Sequence, residues 1–166
     1  MFKWIGVLLI ILGSTMTGFD MYAEKKKTKQ CTAAFIKALT FMRDEMRFSK
    51  AYIENVFVKC LEADKLTESF FQNISDKLGT GKKFDIAWNE AVSEMEYLCA
   101  EAQKVIAELS NILGSVELDV QSNHIDRCIG ELEAILSKQN EQVNRKGTMY
   151  PKVGFLSGLL LAILLF

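Results

Sequence analysis

The two ends of the chain are almost free of charge, and this constrains it more than any other feature. Lys3 is the one charged residue within Met1–Phe19, and Val153–Phe166 contains none. Every acidic residue falls between Asp20 and Lys152, a stretch of 133 residues that carries 19 Lys/Arg and 21 Asp/Glu, a balance of −2. Runs that exclude charge in this way fold as apolar helices suited to a bilayer. Ile5–Phe19 and Val153–Phe166 reach about 21–23 Å at about 1.5 Å per residue, against a hydrocarbon core of about 30 Å. Trp4 and Tyr22 bracket the first run and Tyr150 precedes the second; such rings anchor at the membrane interface, while Lys3 and Lys152 can snorkel to it. Both runs are read as transmembrane helices, residues 1–19 and 153–166, around a domain over residues 20–152.

The rival reading of the first run is a cleaved signal peptide. Its cleavage pattern is poor, because Met21 stands at the −3 place before Ala23. Lys25, Lys26, Lys27 and Lys29 also follow the apolar run at once, and the positive-inside rule holds such a cluster in the cytoplasm. Arg145, Lys146 and Lys152 stand in the same relation to the second run. The sequence therefore predicts outward termini and a cytoplasmic middle domain held at the cell membrane. Gly154, Gly158 and Ala162 recur at four-residue spacing, as do Gly13 with Thr17 and Ser14 with Gly18. Small residues so spaced let membrane helices approach closely, onto each other or onto a partner; the plainer alternative is that Gly is common in such helices.

Between the ends the hydrophobic period is that of helix. Phe35, Leu39, Met42 and Met46 form one stripe, and Ile53, Val56, Phe57, Cys60 and Leu61 a second. Phe70, Phe71, Ile74 and Leu78 form a third, with Thr67 as its expected N-cap and Gly79 and Gly81 as its stop. A fourth helix starts near Asp85 with Trp88, Ala91 and Met95 inward. It either runs on or breaks near Cys99, with Val105, Ile106 and Leu109 continuing the stripe and Gly114 ending it. The last carries Ile125, Cys128, Leu132 and Ile135, with Gly147 and Pro151 marking a break before the second apolar run. The expected fold is all-α: a bundle of about five or six helices between terminal transmembrane helices.

Few catalytic constellations can be built. The net charge of −1 and pI near 5.9 argue against nucleic acid as a partner. Gly79-Thr80-Gly81-Lys82-Lys83 resembles a phosphate loop only faintly: Asp76 takes the place of the first Gly, Lys83 that of Ser/Thr, and a helix precedes it. Cys31, Cys60, Cys99 and Cys128 lack any C-x-x-C pair and read as thiols. His124 is the single histidine; it lies one turn from Cys128, but two ligands do not make a metal site. No cofactor, metal or enzymatic activity is expected. One charge pattern remains. Between Asp85 and Asp119 there are eight acidic residues and one basic, whereas Asp20–Lys83 holds 13 basic and nine acidic. One continuous helix would put Glu90, Glu94, Glu101 and Glu108 on one face, either as a solvated face or as a docking surface for a basic partner.

Three segments together resemble the stage III sporulation protein AB family of endospore-forming bacteria. The first is Lys3-Trp4-Ile5-Gly6 through Gly13-Ser14-Thr15 and Gly18-Phe19. The second is Leu78-Gly79 followed by Ala87-Trp88. The third is Leu113-Gly114-x-x-Glu117-x-x-x-Gln121-x-x-x-Ile125, where Glu117 replaces the family's usual Asp; this run reads either as a helix junction or as a partner contact through Glu117 and Gln121. That family is similar in turn to the F protein of type II secretion and type IV pilus machines. The resemblance implies a non-enzymatic membrane platform in a secretion-like channel complex between mother cell and forespore. It implies a cytoplasmic ATPase of the stage III sporulation protein AA type as partner, with other membrane components of the complex. Secretion F proteins carry two related domains and this chain one, which leaves open a homo-oligomer. The alternative is a generic membrane-anchored helical adaptor of another pilus- or secretion-type assembly.

Overall fold

A computed structural model describes residues 2–49, 56, 60, 64–113, 117–146 and 149–164. Six α-helices and one 3-10 turn are defined among them: α1 (Phe2–Ser49), α2 (Lys65–Gly79), α3 (Phe84–Ser93), α4 (Ala100–Glu108), the turn Leu109–Asn111, α5 (Leu118–Lys146) and α6 (Met149–Leu164). No strand occurs among the described residues. Val56 and Cys60 are also helical and fully buried; Ile53, Phe57 and Leu61 of the same predicted stripe lie outside the described residues.

Helix α2 shows how local chemistry sets the boundaries. Its N-cap is Asp64, in extended backbone, whose carboxylate accepts from the Leu66 N–H at 3.0 Å. Thr67, the cap expected from sequence, sits buried in the first turn and donates its hydroxyl to the Asp64 carbonyl at 3.1 Å. Both residue types can cap, and Asp64 is the one placed before the first helical turn. The other end is closed by Gly81 at φ +83°. The Lys82 N–H reaches back to the Lys77 carbonyl at 3.2 Å and the Gly81 N–H to Leu78 at 2.9 Å, the paired bonds of a Schellman cap. Gly79 is merely the last helical residue.

The chain divides into two compact units, Gln30–Ser137 and the paired segments Met1–Lys29 with Lys138–Phe166; α1 and α5 contribute to both. The first unit, the body, holds the core. Phe35, Leu39, Met42 and Met46 of α1 are all buried, as their spacing predicts. Phe70 stands edge-on to Phe35, Phe71 and Trp88, with ring centroids 5.0, 5.1 and 5.1 Å away, a geometry that aligns ring edges with π faces. Trp88 is fully buried and donates its Nε1–H to the Ile106 carbonyl at 2.8 Å, joining α3 to α4. Ile125, Cys128, Leu132 and Ile135 bury the inner stripe of α5. On its flank Asp126 accepts from Arg43 Nη1 at 2.7 Å and Arg47 Nη2 at 2.6 Å, tying α5 to α1.

The second unit, the paired ends, is built differently. Ser14 Oγ and Ser157 Oγ share a hydrogen bond at 3.0 Å between α1 and α6, and Gly18, one turn on, is buried. Eleven of the 15 large apolar side chains exposed among the described residues belong to this unit, including Met16, Phe19, Leu156, Leu160 and Ile163. Water gives no stability to so much exposed hydrocarbon, and such patches mark a contact surface. Among the described residues no helix is long and apolar enough to cross a membrane.

Candidate functional site

A shallow cavity of about 100 Å³ opens beside α4, the 3-10 turn and α5. Val105, Leu109 and Ile112 give it apolar walls, and Glu108, His124, Arg127, Cys128 and Glu131 line the rest. These α5 residues recur every three or four positions and so share one face. Arg127 Nε donates to Glu131 Oε1 at 2.9 Å, one turn along. Cys128 Sγ lies 3.8 Å from the Val105 carbonyl. Burial first, then the nearby Glu131 and Glu108 charges, push its thiol up to about 12. At neutral pH it is protonated, so it lacks the thiolate that nucleophilic chemistry needs. Burial likewise pushes Cys31 to about 11 and Cys60 to about 12. Among the described residues no group of three or more His, Cys, Asp or Glu is placed to hold a metal ion. The cavity is thus an apolar recess with a charged rim, a shape that can receive a side chain.

The acidic run does not form one helical face. Helix α3 ends at Ser93 and α4 begins at Ala100, so Glu90 and Glu94 are separated from Glu101 and Glu108 by an irregular bend. The break is physical: the Glu94 N–H bonds the Glu90 carbonyl, Met95 closes a tighter turn onto Val92, and the chain then folds back. Glu90 and Glu94 face α2 instead. Lys77 Nζ lies 3.1 Å from Glu90 and 2.8 Å from Glu94, Lys82 Nζ lies 2.7 Å from Glu90, and Asn73 donates to Glu94. The Lys82 and Lys77 hydrogen bonds hold Glu90 below the ordinary carboxylate range, and Lys77 with Asn73 does the same for Glu94. Two of the four glutamates are therefore bound within the chain, while Glu101 and Glu108 remain exposed on α4.

The family-like positions are mostly core. Ala87, Trp88 and Ile125 are fully buried, and Leu113 and Gln121 are 3% and 5% exposed. Glu117 is exposed at the N-terminus of α5, where its carbonyl accepts the Gln121 N–H at 3.0 Å and its carboxylate suits the helix dipole. Gly114 lies outside the described residues. In the paired ends, a Cβ added at Gly13 would meet nothing within 4 Å. Thr17 is exposed with its hydroxyl on the Ser14 carbonyl at 2.8 Å. Of the small-residue pairs in the first run, it is Ser14 with Gly18 that turns inward. Gly154, Gly158 and Ala162 lie on α6, and their surroundings fall outside what is described.

Sequence reasoning missed the two ion clusters. The i, i+4 spacing of Arg43 and Arg47 is a signal for one, but their partner Asp126 lies 83 and 79 positions away. It also missed Ser122, whose buried hydroxyl has no hydrogen-bond partner among the described residues.

Fold and site define an all-α protein of two units, one a packed helical body with Trp88 in its core and the other a pair of apolar ends. The chain belongs to the stage III sporulation protein AB family, whose description it matches over residues 3–166. It is 25% identical to stage III sporulation protein AB of Bacillus subtilis (strain 168) across 174 aligned positions, covering 99% of each chain. No solved structure matches it.

Proposed function

We propose that this protein is a non-enzymatic membrane platform of a secretion-like sporulation complex. Its two apolar ends anchor it in one bilayer as a hairpin, and its body recruits a cytoplasmic ATPase of the stage III sporulation protein AA type together with other membrane components. The observation that carries the anchoring is the concentration of exposed apolar side chains on α6 and the first part of α1, joined by the Ser14–Ser157 bond. A serine pair inside hydrocarbon gives each hydroxyl a partner, one as donor and one as acceptor, and fixes helix register. Helix α6 has 16 residues, about 24 Å at about 1.5 Å per residue, and the shortfall against about 30 Å is met by local thinning and interfacial anchors. Family membership favours sporulation over a pilus-type adaptor role.

The test is co-purification from sporulating cells through a tag on the full chain. The reading expects a secretion-type ATPase to be retained and deletion of the gene to block spore formation. Normal sporulation in the deletion strain, with no ATPase retained, would overturn it.

A further inference from the structure

We infer that the paired ends carry a cationic collar that selects anionic phospholipid headgroups; this rests on the membrane anchoring proposed above. Charge is segregated between the two units. The paired ends hold nine Lys/Arg and three Asp/Glu, net +6, whereas the body holds 11 and 18, net −7. The excess is concentrated. Lys25, Lys26 and Lys27 are exposed and Lys29 half-exposed, one turn and a half beyond the exposed Phe19, and Lys152 is exposed beside the apolar face of α6. At about 100° per residue the four α1 lysines fan across about 200° of the helix circumference, wider than a single helix face. From Lys25 to Lys29 the helix rises about 6 Å at about 1.5 Å per residue, which matches the depth of one headgroup layer. A band of that height, next to an apolar surface, places ammonium groups level with lipid phosphates over that arc. The body repels the same surface, so the binding is confined to the collar.

Each cation near an anionic surface contributes on the order of fivefold to partitioning at low salt, and the effect decays within a Debye length. The experiment uses the full-length chain with Trp4→Phe and Tyr22→Trp, reconstituted in phosphatidylcholine vesicles containing phosphatidylglycerol. One lipid or the other is brominated, and quenching is read from position 22. Trp88 is buried in the body and supplies a constant background. The expected result is a relative association constant favouring phosphatidylglycerol by on the order of tenfold at about 20 mM salt, falling towards one at about 500 mM. Replacing Lys25, Lys26, Lys27, Lys29 and Lys152 by Gln should bring it to one, and replacing them by Arg should keep it. Equal quenching by the two lipids, or a preference that survives the Gln variant, would overturn the inference while leaving the anchoring intact. Quenching by neither lipid would overturn both.

Discussion

Replacing Trp88 with Phe removes the part of the side chain that does the joining. Phe retains a ring to face Phe70, 5.1 Å away in the native contact, but it has no N–H for the Ile106 carbonyl, now at 2.8 Å. That carbonyl keeps the Leu109 N–H but loses its second donor in a fully buried site, at a cost of about 0.5–1.5 kcal/mol. The lost five-membered ring leaves a void that adds about 1–2 kcal/mol, as large-to-small changes in packed cores do. The sum is about 1.5–3.5 kcal/mol, which in a chain of this size lowers Tm by about 3–14 °C. The assay is thermal unfolding of the detergent-solubilised full chain followed by helical circular dichroism. Phe48→Ala is the control, since Phe48 is 87% exposed and should move Tm by less than about 2 °C. A Trp88→Phe Tm within about 2 °C of the parent would refute the assignment of Trp88 as the joint between α3 and α4.

Three further outcomes follow from the same structure. Gly81→Ala should cost about 1–2 kcal/mol, because φ is +83° and an L side chain clashes there. Gly79→Ala should instead be neutral or stabilising by up to about 1 kcal/mol, since it is helical with open space around an added Cβ; denaturant midpoints separate the two. Asp126 is held below its ordinary value, chiefly by the Arg43 hydrogen bond, and Glu90 and Glu94 are depressed by their lysines. A depressed folded value means stabilisation present above the unfolded value, about 3.9–4.3, and lost as pH falls through the folded one. The triple variant D126N/E90Q/E94Q should therefore melt below the parent at neutral pH, and the gap should close as pH falls below the ordinary carboxylate values; a gap of constant size would contradict this. Finally, the buried thiols of Cys31, Cys60 and Cys128, raised to about 11, 12 and 12, should resist alkylation at pH 8. Half-buried Cys99 should react first, and a native-state count of four rapidly labelled thiols would be inconsistent with the core described.

Much of the helical body was readable from spacing. Phe35 to Met46, Phe70 to Ile74, Trp88 with Ala91, and Ile125 to Ile135 all face inward as their periods require, because burial of a stripe is a local property of sequence. The caps were half readable: Gly81 follows from its unique backbone freedom, whereas choosing Asp64 over Thr67 depends on where the chain turns. The acidic run misled because a glutamate spacing of four and seven says nothing of whether the helix continues. The chain bends after Ser93, and two of those glutamates turn to Lys77 and Lys82. Such pairings, like that of Arg43 and Arg47 with Asp126, are decided by which helices pack together and have no local signature.

The central claim is that the two apolar ends lie together in one bilayer. Ser14→Cys with Ser157→Cys, in a Cys99→Ser chain, tests it directly when oxidised in membranes that have been washed with alkaline carbonate. The account predicts that the chain stays with the membrane pellet and forms a disulfide within one chain, so that protease cuts in the body separate fragments only after reduction. Release of the chain by the wash, or cross-links found solely between chains, would contradict it.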